Sequence, residues 1–258
     1  MSETPLLEVR GVHKSFGAVH ALRGVDFRAR AGEVMALVGD NGAGKTVLTK
    51  CIAGIYQVDE GEILWEGQRV HVHGPKDSAR LGIEVVYQDL ALCDNLDVVQ
   101  NMFLGREKLS SFRRLDEAQM EKRARATLDE LSVKTLSSVR QVVAGLSGGQ
   151  RQSIAVAKAV LWNNKLVLLD EPTAALGVAQ TRQVLDLVKR LAQNGLAVVL
   201  ISHNMHDVFE VADYISVLRL GGMVGEFKTT ETTQRDIVEA ITAGDLTIAP
   251  GMREGTVA

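Results

Sequence analysis

Apolar positions along the chain fall into two patterns. Short unbroken runs bounded by glycine or charge predict strands buried on both faces. They are Glu33–Val38 ending at Gly39, Ile83–Tyr87, Leu166–Leu169, Ala197–Ile201 and Tyr214–Leu218. Other segments repeat every three or four residues, as amphipathic helices do. Met120, Ala124, Leu128 and Leu131 form one such face, with Asp116 as its cap. Val184, Leu187, Val188 and Leu191 form another, stopped by Asn194-Gly195. Lys45–Ala53 reads as a helix closed by Gly54, and Gln234–Thr242 as a last helix opened by a variant capping box from Thr233 to Asp236. Ile63–Val70 partly alternates around Glu66-Gly67, which predicts an edge hairpin.

Strands alternating with helices predict a parallel α/β sheet, interrupted by a helical insert between Gln88 and Trp162. Composition excludes several functions. Lys plus Arg is 29 and Asp plus Glu 32, a net charge of −3, and aromatics are only 4%. No global field favours nucleic acid or an anionic membrane, and base-stacking platforms are scarce, so no nucleic-acid partner is expected. Two cysteines, Cys51 and Cys93, do not make a disulfide framework and point to a reducing compartment. The best apolar run, Gly195–Ile201, is far short of the ~20 residues of a spanning helix. Met1–Arg10 lacks the basic start and apolar stretch of a signal peptide.

Three segments carry chemistry. Gly39-Asp40-Asn41-Gly42-Ala43-Gly44-Lys45-Thr46 fits the phosphate-binding pattern G-x-x-x-x-G-K-[ST] between a strand and a helix. Its glycines let backbone N–H groups point at phosphate oxygens, and the helix start adds a positive dipole end. Lys45 would reach the β/γ-phosphates and Thr46 would hold Mg²⁺. Val167–Glu171 is an apolar strand that delivers two carboxylates to its carboxyl end, where α/β sheets bind ligands. Asp170 would bind Mg²⁺, and Glu171, pointing differently, would polarise an attacking water. Leu146-Ser147-Gly148-Gly149-Gln150 precedes a helical run and forms a second anion cradle. That cradle is redundant within one molecule unless it caps a nucleotide held by another copy.

These motifs resemble the nucleotide-binding subunit of an ATP-binding cassette (ABC) transporter, over about Leu7 to Gly244. Gly39–Thr46 resembles Walker A, Val167–Glu171 Walker B, and Leu146–Gln150 the ABC signature. Gln88 matches the Q-loop glutamine, His203 the switch histidine, and Phe16 the aromatic position that stacks on adenine. The stretches Asn101–Glu107 and Ala174–Val178 resemble the sugar-import branch. The resemblance implies a P-loop NTPase (RecA-like) α/β core with an N-terminal antiparallel β part and an inserted helical signature part at about 89–161. One cassette would span residues 5–246, with a tail at 247–258.

It also implies ATP and Mg²⁺ as ligands, with Gln88, Thr46 and Asp170 at the metal and Glu171, His203 and Gln88 catalytic. Two cassettes, identical or paired with a second kind, would close head to tail, each ATP lying between one phosphate loop and the partner's Ser147–Gln150. Permease subunits in the membrane, and through them a solute-binding protein, would complete the assembly at the cytoplasmic face. Two positions depart from the family pattern. Val47 follows Thr46 where a second hydroxyl residue is usual, and Gly177 follows Leu176 where Asp is usual. They leave open a nucleotide-dependent binding module with little hydrolysis. A soluble ABC protein outside transport is the other alternative, although its fused cassettes or long coiled coil would not fit in 258 residues.

Other candidates read as ordinary structure. His71 and His73 would share one face of an edge strand without a third metal ligand. His206 reads as a surface residue. The stretch Arg106–Arg125, interleaved with acids, predicts a solvated helical face, and Cys93 a packed thiol.

Overall fold

A strand with apolar residues at every position needs a core on each side. The computed structural model, which describes residues 4–110, 114–133, 136–162, 164–174 and 176–243, supplies two. In β3 (Val34–Val38), Val34, Ala36 and Val38 face one core while Met35 and Leu37 face the other. In β7 (Leu166–Asp170), Val167 and Leu169 divide in the same way from Leu166 and Leu168. In β8 (Ala197–Ile201), Val198 and Leu200 divide from Ala197, Val199 and Ile201. Each such side chain taken from water contributes about 1.5–3 kcal/mol, so these strands anchor the fold.

Together with β6 (Ile83–Val86), β9 (Tyr214–Arg219) and β10 (Gly222–Lys228), they form a sheet ordered β10-β9-β3-β8-β7-β6 among the described residues. All pairs are parallel except β9–β10. One core separates this sheet from a second, antiparallel sheet ordered β2-β1-β4-β5. Its strands are β1 (Leu7–Phe16), β2 (Val19–Ala29), β4 (Glu60–Trp65) and β5 (Gln68–Val70). Helix α1 (Lys45–Ile52) joins the same core through Leu48, Cys51 and Ile52. The β4–β5 hairpin turns on Glu66 and Gly67, both at positive φ, as a two-residue primed turn requires.

The other core lies under the helices. After α2 (Pro75–Leu81) and β6 come α3 (Val98–Phe103), α4 (Glu117–Glu130) and α5 (Gly148–Val160). Helices α6 (Val178–Gln193), α7 (Met205–Val211) and α8 (Gln234–Ala243) follow. The predicted faces are the buried ones: Met120, Ala124, Leu128 and Leu131 in one case, Val184, Leu187, Val188 and Leu191 in the other. Asp116 accepts from the Gln119 N–H as the N-cap of α4, and Thr233 and Asp236 bond reciprocally before α8.

Two expectations are corrected. The stretch Arg106–Arg125 is not helical throughout, because Leu109 and Leu115 pair as an isolated antiparallel bridge and α4 begins at Glu117, directly after the expected cap Asp116. Its charged face is pinned, with Arg140 meeting Glu117, Glu121 and Asp97. His71 and His73 lie beyond the end of β5 at Val70, and their rings stack at 6.1 Å and 15°. His206 is exposed on α7. Cys51 is buried, which pushes its thiol up to about 11, and Cys93 is half-buried with its N–H donating to Asn101. Among the described residues no helix is long and apolar enough to cross a membrane. The tail at 247–258 lies outside them.

Candidate functional site

Parallel strands place their carboxyl ends side by side, and loops leaving those ends share one crevice. β3 runs into Gly39–Gly44, β6 into Gln88, β7 into Asp170-Glu171, and β8 into His203. Their side chains line one cavity of about 540 Å³, which includes Asn41 to Val47, Gln88, Asp170, Glu171 and His203.

The phosphate loop needs its glycines. A Cβ on Gly39, at φ 153°, would sit 2.1 Å from the Leu218 carbonyl oxygen, and one on Gly44, at φ 110°, 2.8 Å from that of Ala21. Asp40 accepts the Ala43 N–H through its carbonyl, which tightens the loop. Lys45 is 9% exposed, and its Nζ donates to the Gly39 and Asp40 carbonyls at 2.6 and 3.0 Å. Burial lowers its pKa, opposed by the charges of Glu171 and Asp170. Thr46 is exposed to the cavity, and Val47 divides itself between the cavity and the core beneath.

Opposite stand the carboxylates. Asp170 continues β7 in register with Ile201, and burial raises its pKa, with the neighbouring Glu171 charge adding to the rise. Glu171 sits at φ 50°, a left-handed conformation that costs a non-glycine residue about 1–3 kcal/mol. The turn carries the chain out of the strand directly after Asp170. Glu171 keeps its N–H on the Ile201 carbonyl and its Oε2 2.8 Å from Nδ1 of His203. The oxygen donors of Thr46, Gln88 and Asp170 on one cavity, with two carboxylates pressed together, suit a hard divalent cation such as Mg²⁺ that also takes phosphate oxygens and water.

Gly39 and Asp40, at the foot of the loop, stand behind the cavity lining, and two further predicted groups do not line it. Phe16 ends β1 at its rim, 43% exposed, edge-to-face with Tyr56 at 5.0 Å and paired across the turn with Val19, which does line it. Ser147–Gln150 lie elsewhere. Ser147 caps α5, accepting the Gln150 N–H through Oγ while Gln150 Oε1 accepts the Ser147 N–H. Ser147 and Gly148 are exposed. Gly149 is buried where a Cβ would meet the Gln180 side chain at 2.9 Å. Among the described residues, Ser147–Gln150 therefore bring no second anion cradle to the phosphate loop.

Sequence reasoning missed one wall, made by Val19, His20, Ala21 and Arg23 of β2 with Leu220 and Gly221 of the β9–β10 turn. The Gly221 N–H donates to the Ala43 carbonyl, and the Arg23 N–H to the Gly221 carbonyl, so this turn ties β2 to the phosphate loop. The Gly221-Gly222 pair was the available signal for the turn.

Comparison with known proteins agrees with this geometry. The family model described as ABC transporter matches residues 22–174. The chain is 47% identical over 248 residues to the fructose import ATP-binding protein FrcA of Rhizobium meliloti, covering 94% of this chain and 95% of that one. It is 45% identical over 238 residues to the xylose/arabinose import ATP-binding protein XylG of Sulfolobus acidocaldarius, covering 92% and 94%. In fold it superposes on a nucleotide-free ATP-binding cassette from an ABC transporter with a TM-score of 0.78 at 24% identity, covering 87% of this chain and 91% of that one.

Proposed function

The chain belongs to the ABC transporter family, and from that premise we propose that it is the ATP-hydrolysing subunit of a monosaccharide importer. The observation that carries the hydrolytic part is the cavity where Lys45, Thr46, Gln88, Asp170, Glu171 and His203 meet, with His203 held 2.8 Å from Glu171. The sugar-import part rests on its relatives, one for fructose and one for xylose or arabinose.

In this reading ATP lies along Gly39–Val47, its phosphates on the loop N–H groups and the start of α1. The β/γ-phosphates replace the two carbonyls that Lys45 Nζ now contacts. Thr46, Gln88 and Asp170 hold Mg²⁺, which neutralises phosphate charge. Glu171 orients a water and accepts its proton as the oxygen attacks the γ-phosphorus and the bond to the bridging oxygen breaks. His203 fixes Glu171 and reaches the γ-phosphate. Phe16 and the β2 wall flank the base. Residues 5–246 act as one cassette, with the helical part at about 89–161 carrying Ser147–Gln150 to the ATP of a second cassette. The partner permease places the assembly at the cytoplasmic face of the membrane, with a solute-binding protein beyond it.

The test is ATP turnover of the purified chain with Mg²⁺, and of Lys45→Ala beside it. Turnover that disappears in the variant is expected. A cation in a dry site is poorly replaced by water, so wild-type turnover would remove the phosphate-loop assignment. Co-purification of a membrane permease and ATP-dependent sugar uptake by vesicles holding the complex check the transport half. A chain that turns over ATP but co-purifies with no permease and drives no sugar uptake would favour the soluble alternative.

A further inference from the structure

The β2 wall of the nucleotide cavity carries a cation besides Lys45. Val19, Ala21 and Arg23 alternate along β2 and all line the cavity, while Leu22 between them is buried in the core. Val19 pairs with Phe16, so this face begins at the end proposed for the base. Ala21 stands beside the phosphate loop, its carbonyl oxygen 2.8 Å from where a Cβ on Gly44 would be. Arg23 follows, roughly 13 Å beyond Val19 along an extended strand. Its N–H donates to the Gly221 carbonyl at 2.7 Å, and the Gly221 N–H donates to the Ala43 carbonyl at 2.9 Å. Two hydrogen bonds therefore fix the backbone of Arg23 against the loop.

The side chain is anchored at its stem and open at its end. A Cβ on Gly221, at φ 82°, would lie 3.5 Å from Arg23 Cγ, so the stem passes over this turn. Nε donates to the His20 carbonyl at a long 3.5 Å. Among the described residues, the two Nη groups have no hydrogen-bond partner and no carboxylate pairs with the guanidinium. The rest of the charged lining is Lys45, Asp170 and Glu171, beside the imidazoles of His20 and His203. One ammonium there faces two carboxylates, so without Arg23 the cavity would meet an anionic ligand with a negative formal charge.

We propose that Arg23 is a phosphate-binding residue of the nucleotide site, its guanidinium turning over the polyphosphate chain from the β2 wall. The inference rests on the nucleotide reading of this cavity and adds one residue to it. A guanidinium presents parallel N–H donors that match two phosphate oxygens. Arg23 is exposed, and a swing about its outer torsions breaks only the contact with His20. A guanidinium also stacks on bases, but position favours the phosphates. Of the β2 residues in the lining, Arg23 is the farthest from the Phe16–Val19 pair, and it is the one tied through Gly221 to Ala43 of the loop.

Calorimetric titration of the full chain with ATP, inorganic tripolyphosphate and adenosine, with the metal chelated to prevent hydrolysis, tests the assignment. Arg23→Gln should weaken ATP and tripolyphosphate alike by about tenfold, the low end for a hydrogen bond to a charged group because the guanidinium is exposed. Adenosine binding should not change. Arg23→Lys should recover part of the loss, since it keeps the charge without the fork. Both variants should keep the wild-type melting temperature without nucleotide, because the guanidinium has no ion pair to lose. Unchanged ATP affinity in Arg23→Gln would overturn the proposal. A loss for ATP and adenosine that spares tripolyphosphate would also overturn it, by placing the guanidinium on the base or ribose. No recovery in Arg23→Lys would remove charge as the cause. Lys45→Ala, titrated beside them, separates this inference from the reading beneath it. Normal ATP binding by Lys45→Ala would sink the phosphate-loop assignment itself, whereas a loss there with none in Arg23→Gln would remove Arg23 alone.

Discussion

The phosphate loop and the Ser147–Gln150 loop are both glycine-rich and both open a helix, yet their surroundings are opposite. The first is enclosed. Lys45 is buried, its loop is tied to the β9–β10 turn, and four strand ends deliver reactive side chains in front of it. The second faces outward at Ser147 and Gly148, and its glycines are dictated by packing. A Cβ on Gly148 would lie 3.1 Å from Leu176, and one on Gly149 2.9 Å from Gln180. Close packing holds the loop rigidly on the start of α6 while leaving the Ser147 hydroxyl at the surface. One region is a site already assembled, and the other, under the proposed function, would complete a site held by a second cassette.

The sharpest way to break this contrast is Ser147→Arg. The long cation should abolish hydrolysis while leaving ATP binding by the isolated chain unchanged, because Ser147 is not among the described residues that line the cavity. Mixing it with Lys45→Ala should restore part of the turnover, since a mixed pair has one composite site with both lesions and one with neither. Equal loss of ATP binding in the monomer would place Ser147 in the same-chain site and erase the distinction.

Within the enclosed region, Glu171→Gln should slow turnover ~10²–10⁴-fold by removing the base. The neutral amide also lifts a negative charge from beside the γ-phosphate, so this variant should accumulate as an ATP-bound dimer. Light scattering on a sizing column with and without ATP reads the association. Near-normal turnover would take Glu171 out of the chemistry.

Smaller effects belong to the rim. Phe16→Ala should weaken ATP by roughly 1–3 kcal/mol, the range of base–aromatic stacking, with little change in preference between ATP and GTP. A titration showing unchanged affinity would leave Phe16 as a partner of Tyr56 only. Asp170→Asn should raise the melting temperature of the nucleotide-free chain at pH 7 while weakening Mg²⁺-dependent binding. The sign follows from a folded-state pKa raised by burial and then by Glu171. The native state then holds its proton to higher pH than the unfolded chain, so stability falls as pH rises through that window. The ionised form at pH 7 carries the whole penalty, and the gap between variant and wild type should close in acid. A lower melting temperature at pH 7 would contradict this. Smallest of all, Val47→Thr should tighten ATP by at most about 1 kcal/mol, a net hydrogen bond, reduced by the loss of a methyl contact with the core beneath. Weaker binding would show that packing outweighs the added hydroxyl.

The two regions also differed in how well they could be read in advance. The buried parallel strands were legible because burial on both faces writes an unbroken apolar run that no other environment tolerates at that length. Strands β1 and β2 were not legible as elements. Their pairing shifts register between Val9 and Val12, again before Lys14 and again before Ser15, and Gly11 sits at φ 53°. Bulges of this kind erase the period of two. Because β2 was not seen, neither was the wall of Val19, His20, Ala21 and Arg23. Helix α7 is only seven residues long, too short to show a period.

What the sequence determined by itself is local. It placed the glycines that only a tight loop tolerates, a lysine and a threonine at the mouth of a helix, two carboxylates at the end of a buried strand, and a capped helix after Ser147. Each depends on residues within a turn or two of one another, so short-range sterics and hydrogen bonding decide it. The meeting of Lys45, Gln88, Glu171 and His203 was decided only by the tertiary structure, because it depends on the order β3-β8-β7-β6. That order is set by pairings between segments many residues apart, whose apolar runs are nearly interchangeable. The same packing kept Ser147 out of the cavity, because α5 rests on α6 through glycines whose missing side chains no local pattern explains.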